Sequence, residues 1–421
     1  MRKIIIFLSF ITLVNAQNNF ADFFEDKSLR MDYYRLGNNE AEEFVFNKLV
    51  EEPYWGGSKT NLIDELNLGD FMVKVFDAGS NKLIYSRGFC SLFREWQTTA
   101  EAKKYKRAYS ESVVFPFPKN KVVVEVHGRD KKNNFYKLFG HEVDPEDYFI
   151  IQERKLKYDN FEVHNSGDHS VKYDIVLLPE GYTADEMGDF KEACKKFTEA
   201  LWKYEPFNKN KENINVWGVY APSIDSGVDI PRDSVWKNTL LNSKYYTFDS
   251  ERYLMTDDFY AVKDLAANAP YDQIYILANS DKYGGGAIYN YYSLTAIKNN
   301  LSEEVFVHEL GHGLAGLADE YVDPYTYEEF YSLDVEPWEV NITTLVDFDS
   351  KWKNLLKEGT PVPTPDEPDY DDKLGVFEGG GYVAKGVYRP TRNSIMNSLS
   401  AKEFNRPSKD IIDKVIKFYS E

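Results

Sequence analysis

The chain has 421 residues, of which 43% are hydrophobic and 16% aromatic, and carries a formal net charge of −19. That apolar content supports packed cores and excludes a wholly disordered chain, and the length suits two domains. So acidic a chain repels phosphate and anionic lipid, which disfavours nucleic-acid binding.

The first residues read as an export signal. Arg2 and Lys3 form a basic start, residues 4–14 an apolar run, and Val14-Asn15-Ala16 a small-residue end. Residues 1–16 are expected to be cleaved after Ala16, giving a periplasmic or extracellular protein. The run is too short for a permanent bilayer anchor, so membrane insertion is not expected. Cys90 and Cys194 are the only cysteines and lie far apart. They read as buried thiols, and with no C-x-x-C pair a thiolate zinc site is excluded.

Residues 17–150 read as a β-sandwich. A polar start to about residue 61 comes first. Alternation over 71–76, a turn at 77–81 and a return over 82–89 make one hairpin, and 121–127 with 135–139 make another. His127 and His141 lie here without metal-ligand spacing. Residues 151–170 read as a linker.

Residues 171–421 read as an α/β domain. Buried strands are expected at 173–178, 214–220 and 273–278, with helices at 185–204 and 257–267 between them. Gly284-Gly285-Gly286 with 287–294 suggests a loop entering an edge strand, whose Tyr289, Tyr291 and Tyr292 would face a ligand. Ser302 is the expected N-cap of a helix to about Ala315. The Pro- and Asp-rich stretch 359–372 reads as a solvated loop, with calcium binding at residues 366–372 as the alternative. Residues 408–419 read as a closing helix.

The helix beginning near Ser302 carries His308-Glu309-Leu310-Gly311-His312. Residues four apart share a helical face, so His308 and His312 aim two imidazoles at one point. Zinc accepts imidazole nitrogen and keeps a position open when catalytic. Glu309 then stands beside the metal, where a carboxylate can take a proton from an attacking water. Histidine is scarce, six in the chain, so a chance occurrence of this spacing weighs little.

A third ligand is required. Gly316 can end the helix left-handed and turn the chain back, bringing Asp319 to the metal, with Glu320 as the alternative. The metzincin pattern H-E-x-x-H-x-x-G-x-x-H is departed from: the glycine comes one residue late and Asp319 replaces the last histidine. Ser394-Ile395-Met396-Asn397 is similar to the metzincin Met-turn, with Met396 expected to pack beneath the histidines. Tyr388, Arg389 and Arg392, just upstream, are candidate donors to an oxyanion.

Together, H-E-L-G-H followed by Gly316-Leu317-Ala318-Asp319-Glu320-Tyr321 resembles the bacterial IgA-specific metallopeptidases, the igalysins. Residues 173–182, reading Y-D-I-V-L-L-P-E-G-Y, resemble the opening strand of their catalytic domain, and Gly379-Gly380-Gly381 with Ser394-Ile395-Met396 resembles its end. The front half resembles the domain that often precedes it. The resemblance implies a metzincin-like zincin fold, Zn2+, peptide hydrolysis, His308 and His312 as ligands and Glu309 as the catalytic residue. It does not make immunoglobulin the substrate. Two rival classes are a catalytically weak binding protein for host protein or glycan, against which an intact Glu309 argues, and a zinc hydrolase of a non-peptide amide.

Overall fold

The protein was analysed as a computed structural model that describes residues 18–130, 132–152, 157–323 and 331–421. The expected export signal lies outside the described residues. After a short helix α1 (Phe20–Phe23), the front of the chain builds β1 (Phe24–Gly37), β2 (Glu42–Glu52), β3 (Phe71–Asp77), β4 (Leu83–Phe89), helix α2 (Leu92–Trp96), β5 (Arg107–Pro118), β6 (Val122–Arg129) and β7 (Phe135–Val143). These strands form two antiparallel sheets, ordered β2-β1-β5 and β4-β3-β6-β7. Leu29, Met31 and Tyr33 from one sheet and Val73, Val75, Val124 and Val126 from the other share one buried core.

Both expected hairpins form, but the stretch read as a polar start holds the two long strands β1 and β2. Their alternation is masked because charged side chains point inward. Arg30 is fully buried, and its guanidinium bonds Asp32 and Glu52 at 2.8 and 3.0 Å and Asp264 of the second domain at 2.6 Å. A buried charge is tolerated only when paired in this way.

The second part of the chain runs β8 (Asn160–His164), β9 (Tyr173–Glu180), α3 (Met187–Leu201), β10 (Ile214–Val219), α4 (Phe259–Ala266), β11 (Gln273–Ala278), β12 (Gly285–Ile288), β13 (Tyr292–Ala296), α5 (Ser302–Ala315), β14 (Phe377–Gly380), β15 (Val383–Arg389) and α6 (Arg406–Ser420). A six-stranded sheet orders β12-β13-β11-β9-β10-β8. Its four inner strands are parallel, and β8 and β12 run antiparallel at the two edges. Parallel strands covered by helices are buried on both faces, which is why β9 and β11 are buried at every position and carry the apolar runs 175–178 and 274–278.

Two expectations are corrected. The segment 151–170 is not only a linker, because β8 within it hydrogen-bonds to β10 as an edge strand. The stretch after the three glycines is not one strand but the hairpin β12–β13, with Asn290 at φ 49° in the turn. Tyr291 and Tyr292 consequently point into the core: Tyr291 stacks on Phe259 at 3.7 Å, and the Tyr292 hydroxyl donates to Thr256 O.

The two parts are joined by more than a tether. Leu92, Phe93, Trp96 and Tyr109 of the front domain belong to the main core of the second domain. Cys90 N–H donates to Tyr289 O, and Tyr260 Oη donates to Tyr33 O at 2.6 Å. Cys90 and Cys194 are both buried and unpaired with each other. Among the described residues, no helix is long and apolar enough to cross a membrane.

Candidate active site

Helix α5 is built to present its histidines. Glu303 and Glu304 sit in its first turn, where carboxylates complement the helix dipole. Its cap is Leu301, and Ser302 is instead the first helical residue, its hydroxyl donating to Ala296 O. At the other end Gly316 takes φ 59°, and Leu317 N–H closes back on Gly311 O. An added Cβ at Gly316 would also lie 2.5 Å from the Trp338 ring, so only glycine allows both the left-handed turn and this close cover.

That turn brings Asp319 back over the helix. His308 Nε2 and His312 Nε2 lie 3.0 Å apart. Asp319 Oδ1 lies 3.1 Å from the first and 3.4 Å from the second. Each imidazole is oriented through its other nitrogen: His308 Nδ1 bonds Ile395 O at 2.9 Å and His312 Nδ1 bonds Leu317 O at 2.5 Å. A carbonyl only accepts, so both Nδ1 atoms carry hydrogen and both Nε2 lone pairs face each other. Asp319 Oδ1 is buried with no hydrogen-bond donor of its own.

Glu309 adds a carboxylate beside this triangle; it, His308 and His312 offer donor atoms all within 4.8 Å of one another. Its Oε1 lies against β12, 3.3 Å from where a Cβ on Gly285 would stand. Burial raises the Glu309 carboxyl, opposed by the two imidazoles. Burial likewise disfavours a charged His312, but Asp319 and Glu309 together lift it to about 9. Asp319 is held well below the usual carboxylate range by the imidazoles despite its burial.

Glu320 does not face the histidines. Its carboxylate is fully buried and accepts from Asn341 Nδ2, Ser394 Oγ and Asn405 Nδ2 at 2.9, 2.7 and 2.6 Å. Its own N–H donates to Met396 O. Glu320 thus ties the returning segment to the turn at Ser394-Ile395-Met396. Met396 is fully buried, with Sδ 3.1 Å from a Cβ placed on Gly311, so that turn packs directly under α5 between its two histidines.

The donors expected upstream of this turn are elsewhere. Tyr388 pairs through its backbone with Thr343, Arg389 Nη1 donates to Glu378 O and Gly379 O, and Arg392 pairs with Asp366 and Asp371. In their place the structure brings Tyr382, Tyr321 and Arg252 to the site. Tyr382 Oη donates to Asp319 Oδ2 at 2.5 Å, and Arg252 Nη2 donates to Tyr321 Oη at 2.9 Å. No spacing in the sequence announced them; the glycines 379–381 before Tyr382 are the nearest signal.

All of this lines a cleft of about 910 Å³ whose walls come from both domains. From the front domain, Glu95 reaches in from α2, accepting from Tyr253 Oη at 2.5 Å, and burial pushes its carboxyl up to about 7. Of the three tyrosines expected to face a ligand, Tyr289 alone lines the cleft.

A family model described as IgA Peptidase M64 matches residues 161–373 and 366–416, and one described as Peptidase M64 N-terminus matches residues 19–140. The chain belongs to the IgA peptidase M64 family. No curated protein matches it. Membership in this family makes the chain a metallopeptidase with a protein substrate, and the metal is tested against its donors. Ligands 2.0–2.1 Å from a tetrahedral zinc lie roughly 3.3 Å apart. The triangle of 3.0, 3.1 and 3.4 Å in this M64 peptidase fits that spacing. Without a metal, a proton held on His312 Nε2 eases the crowding, in line with its raised value; a zinc ion in its place would satisfy all three atoms at once.

Proposed function

We propose that this chain is an exported zinc metalloendopeptidase that hydrolyses peptide bonds of extracellular proteins, built on a metzincin-like plan. The observation that carries the reading is the closed triangle of His308 Nε2, His312 Nε2 and Asp319 Oδ1, with each imidazole pinned by a carbonyl on its far side. The left-handed turn at Gly316 and the methionine turn packed under α5 support the metzincin-like plan. The basic start and apolar run of residues 2–14 support export.

Zinc, when bound, supplies Lewis acidity to the scissile carbonyl and makes a water acidic enough to attack near neutral pH. Glu309 accepts the proton of the attacking water on its carboxylate and returns it to the departing amine. Its place against β12 sets it between the metal ligands and the strand along which an extended substrate lies. Among the described residues, β12 is an edge of the sheet that is bridged only at Gly285, by Tyr253. Substrate backbone therefore pairs with β12 beyond Gly285. The Tyr321 hydroxyl and the Arg252 guanidinium are donors for the carbonyl oxygen as it gains charge, and Tyr382 holds Asp319 in register.

The test is digestion of casein by the purified protein with one equivalent of zinc, beside a Glu309→Ala variant and a chelated sample. Cleavage is expected only in the intact, zinc-loaded protein. Failure to retain one zinc per chain, or cleavage undiminished by Glu309→Ala, overturns the reading.

A further inference from the structure

The cleft continues past the end of α5 into a pocket shared by the two domains. Trp338 covers Gly316, four residues and one helical turn beyond His312, and its indole Nε1 donates to Asp70 Oδ1 at 3.1 Å. Asp70 belongs to the front domain and Glu339, the residue after Trp338, to the catalytic domain; both line the cleft. Glu339 is only 9% exposed. Its Oε1 accepts from Tyr331 Oη at 2.8 Å, while its Oε2 is buried with no donor.

A buried carboxylate oxygen without a donor, on a residue that lines the cleft, is costly unless a guest completes it. Arg129 and Lys351 lie close enough to act on Glu339 electrostatically, but neither hydrogen-bonds its Oε2. Arg129 is held by the carbonyls of Gly69, Asn67 and Asn133, and Lys351 by the carbonyls of Pro337 and Glu339. Burial, with Asp70 adding to it, pushes the Glu339 carboxyl up to about 7, which a bound cation would reverse. Tyr331 and Trp338 each donate one hydrogen to the two carboxylates and hold them in place, leaving their remaining acceptor positions for a side-chain cation. A bare calcium ion needs six to eight oxygens, and among the described residues no cluster of three metal-donor side chains includes Asp70 or Glu339.

We propose that Asp70 and Glu339 form a specificity subsite that takes the ammonium or guanidinium of a substrate lysine or arginine. The assignment rests on the peptidase reading above. It makes the front domain a selector of substrate, since Asp70 stands immediately before its strand β3.

The experiment maps cuts in a digested proteome by the zinc-loaded protein. It then compares two synthetic peptides that differ only by lysine or norleucine at the position the map selects. Enrichment of lysine or arginine at one fixed position from the cut is expected. In the intact protein kcat/KM should favour the lysine peptide by roughly 10- to 100-fold, as loss of a charged hydrogen bond implies. Glu339→Gln and Asp70→Asn should each narrow that ratio while zinc content and cleavage of the norleucine peptide stay near the parent values. If cuts occur with no basic preference, or the preference survives in both variants, the subsite is overturned and the peptidase reading stands. If the intact protein cuts nothing, both fall.

Discussion

The phenol of Tyr382 donates to Oδ2 of Asp319 at 2.5 Å, so the other oxygen of that carboxylate is left to face His308 and His312. Residues 63 positions apart in the chain are placed in contact by a pair of short backbone bridges, Gly381 N–H to Asp319 O and Tyr382 N–H to Tyr321 O. The contact selects which oxygen is turned toward the two imidazoles.

Removing that phenolic donor should weaken metal binding without abolishing it. Tyr382→Phe is expected to lower zinc affinity by about 10- to 100-fold, the usual cost of losing a group that orients a ligand. Competition against a fluorescent chelator reads the change; an unaltered affinity would show that the bond has no orienting role.

Asp319 and Glu320 are neighbours with opposite duties, and two variants separate them. Asp319→Ala should lose zinc yet keep most of the fold. Glu320→Ala should leave three buried donors from Asn341, Ser394 and Asn405 unmet, costing on the order of 3 kcal/mol or more of stability. Metal analysis and thermal melting of the metal-free proteins check the pair. Equal melting temperatures would refute the assignment of Glu320 as an anchor.

Glu309→Gln should reduce kcat by about 100- to 10,000-fold, the range for a general base, with zinc still bound. Single-turnover cleavage of a quenched peptide measures it, and a loss under tenfold would exclude Glu309 as the base.

A pH effect follows from Glu339. Its folded value of about 7 lies above the ordinary carboxyl range. The folded state therefore holds the proton more tightly than the unfolded chain. The resulting stability is present in full at low pH and is lost as pH climbs through about 7, an effect on the order of 3 kcal/mol. Glu339→Gln should thus raise the melting temperature relative to the parent more at pH 8 than at pH 5. A difference constant across that range would contradict the burial argument.

The shared core of the two domains predicts joint unfolding. Because Phe93 and Trp96 pack within the catalytic core, calorimetry should show one transition instead of two, and a fragment beginning at residue 157 should aggregate. Two well-separated transitions would be inconsistent with that packing.

The helical pair His308 and His312 was legible because a four-residue spacing on a helix is a local geometric fact, independent of what surrounds it. The buried runs of β9 and β11 were legible for the same reason: strands covered on both faces carry consecutive apolar residues, as at 175–178 and 274–278. The strands β1 and β2 were not, since Arg30 and Asp32 look solvent-facing until Glu52 and Asp264 are seen to enclose them. The choice between Asp319 and Glu320 lay beyond local reading as well. Adjacent carboxylates differ only in which way the turn after Gly316 directs them, and that is fixed by Asn341, Ser394, Asn405 and Tyr382 from distant segments.

The sequence alone therefore determined the chemistry: two imidazoles and a carboxylate on one helix, and a glycine to end it. Tertiary structure decided which acid closes the triangle, which tyrosine aims it, and that Asp70 and Glu95 of the front domain share the cleft. Contacts between segments tens to hundreds of residues apart depend on packing that no single stretch encodes.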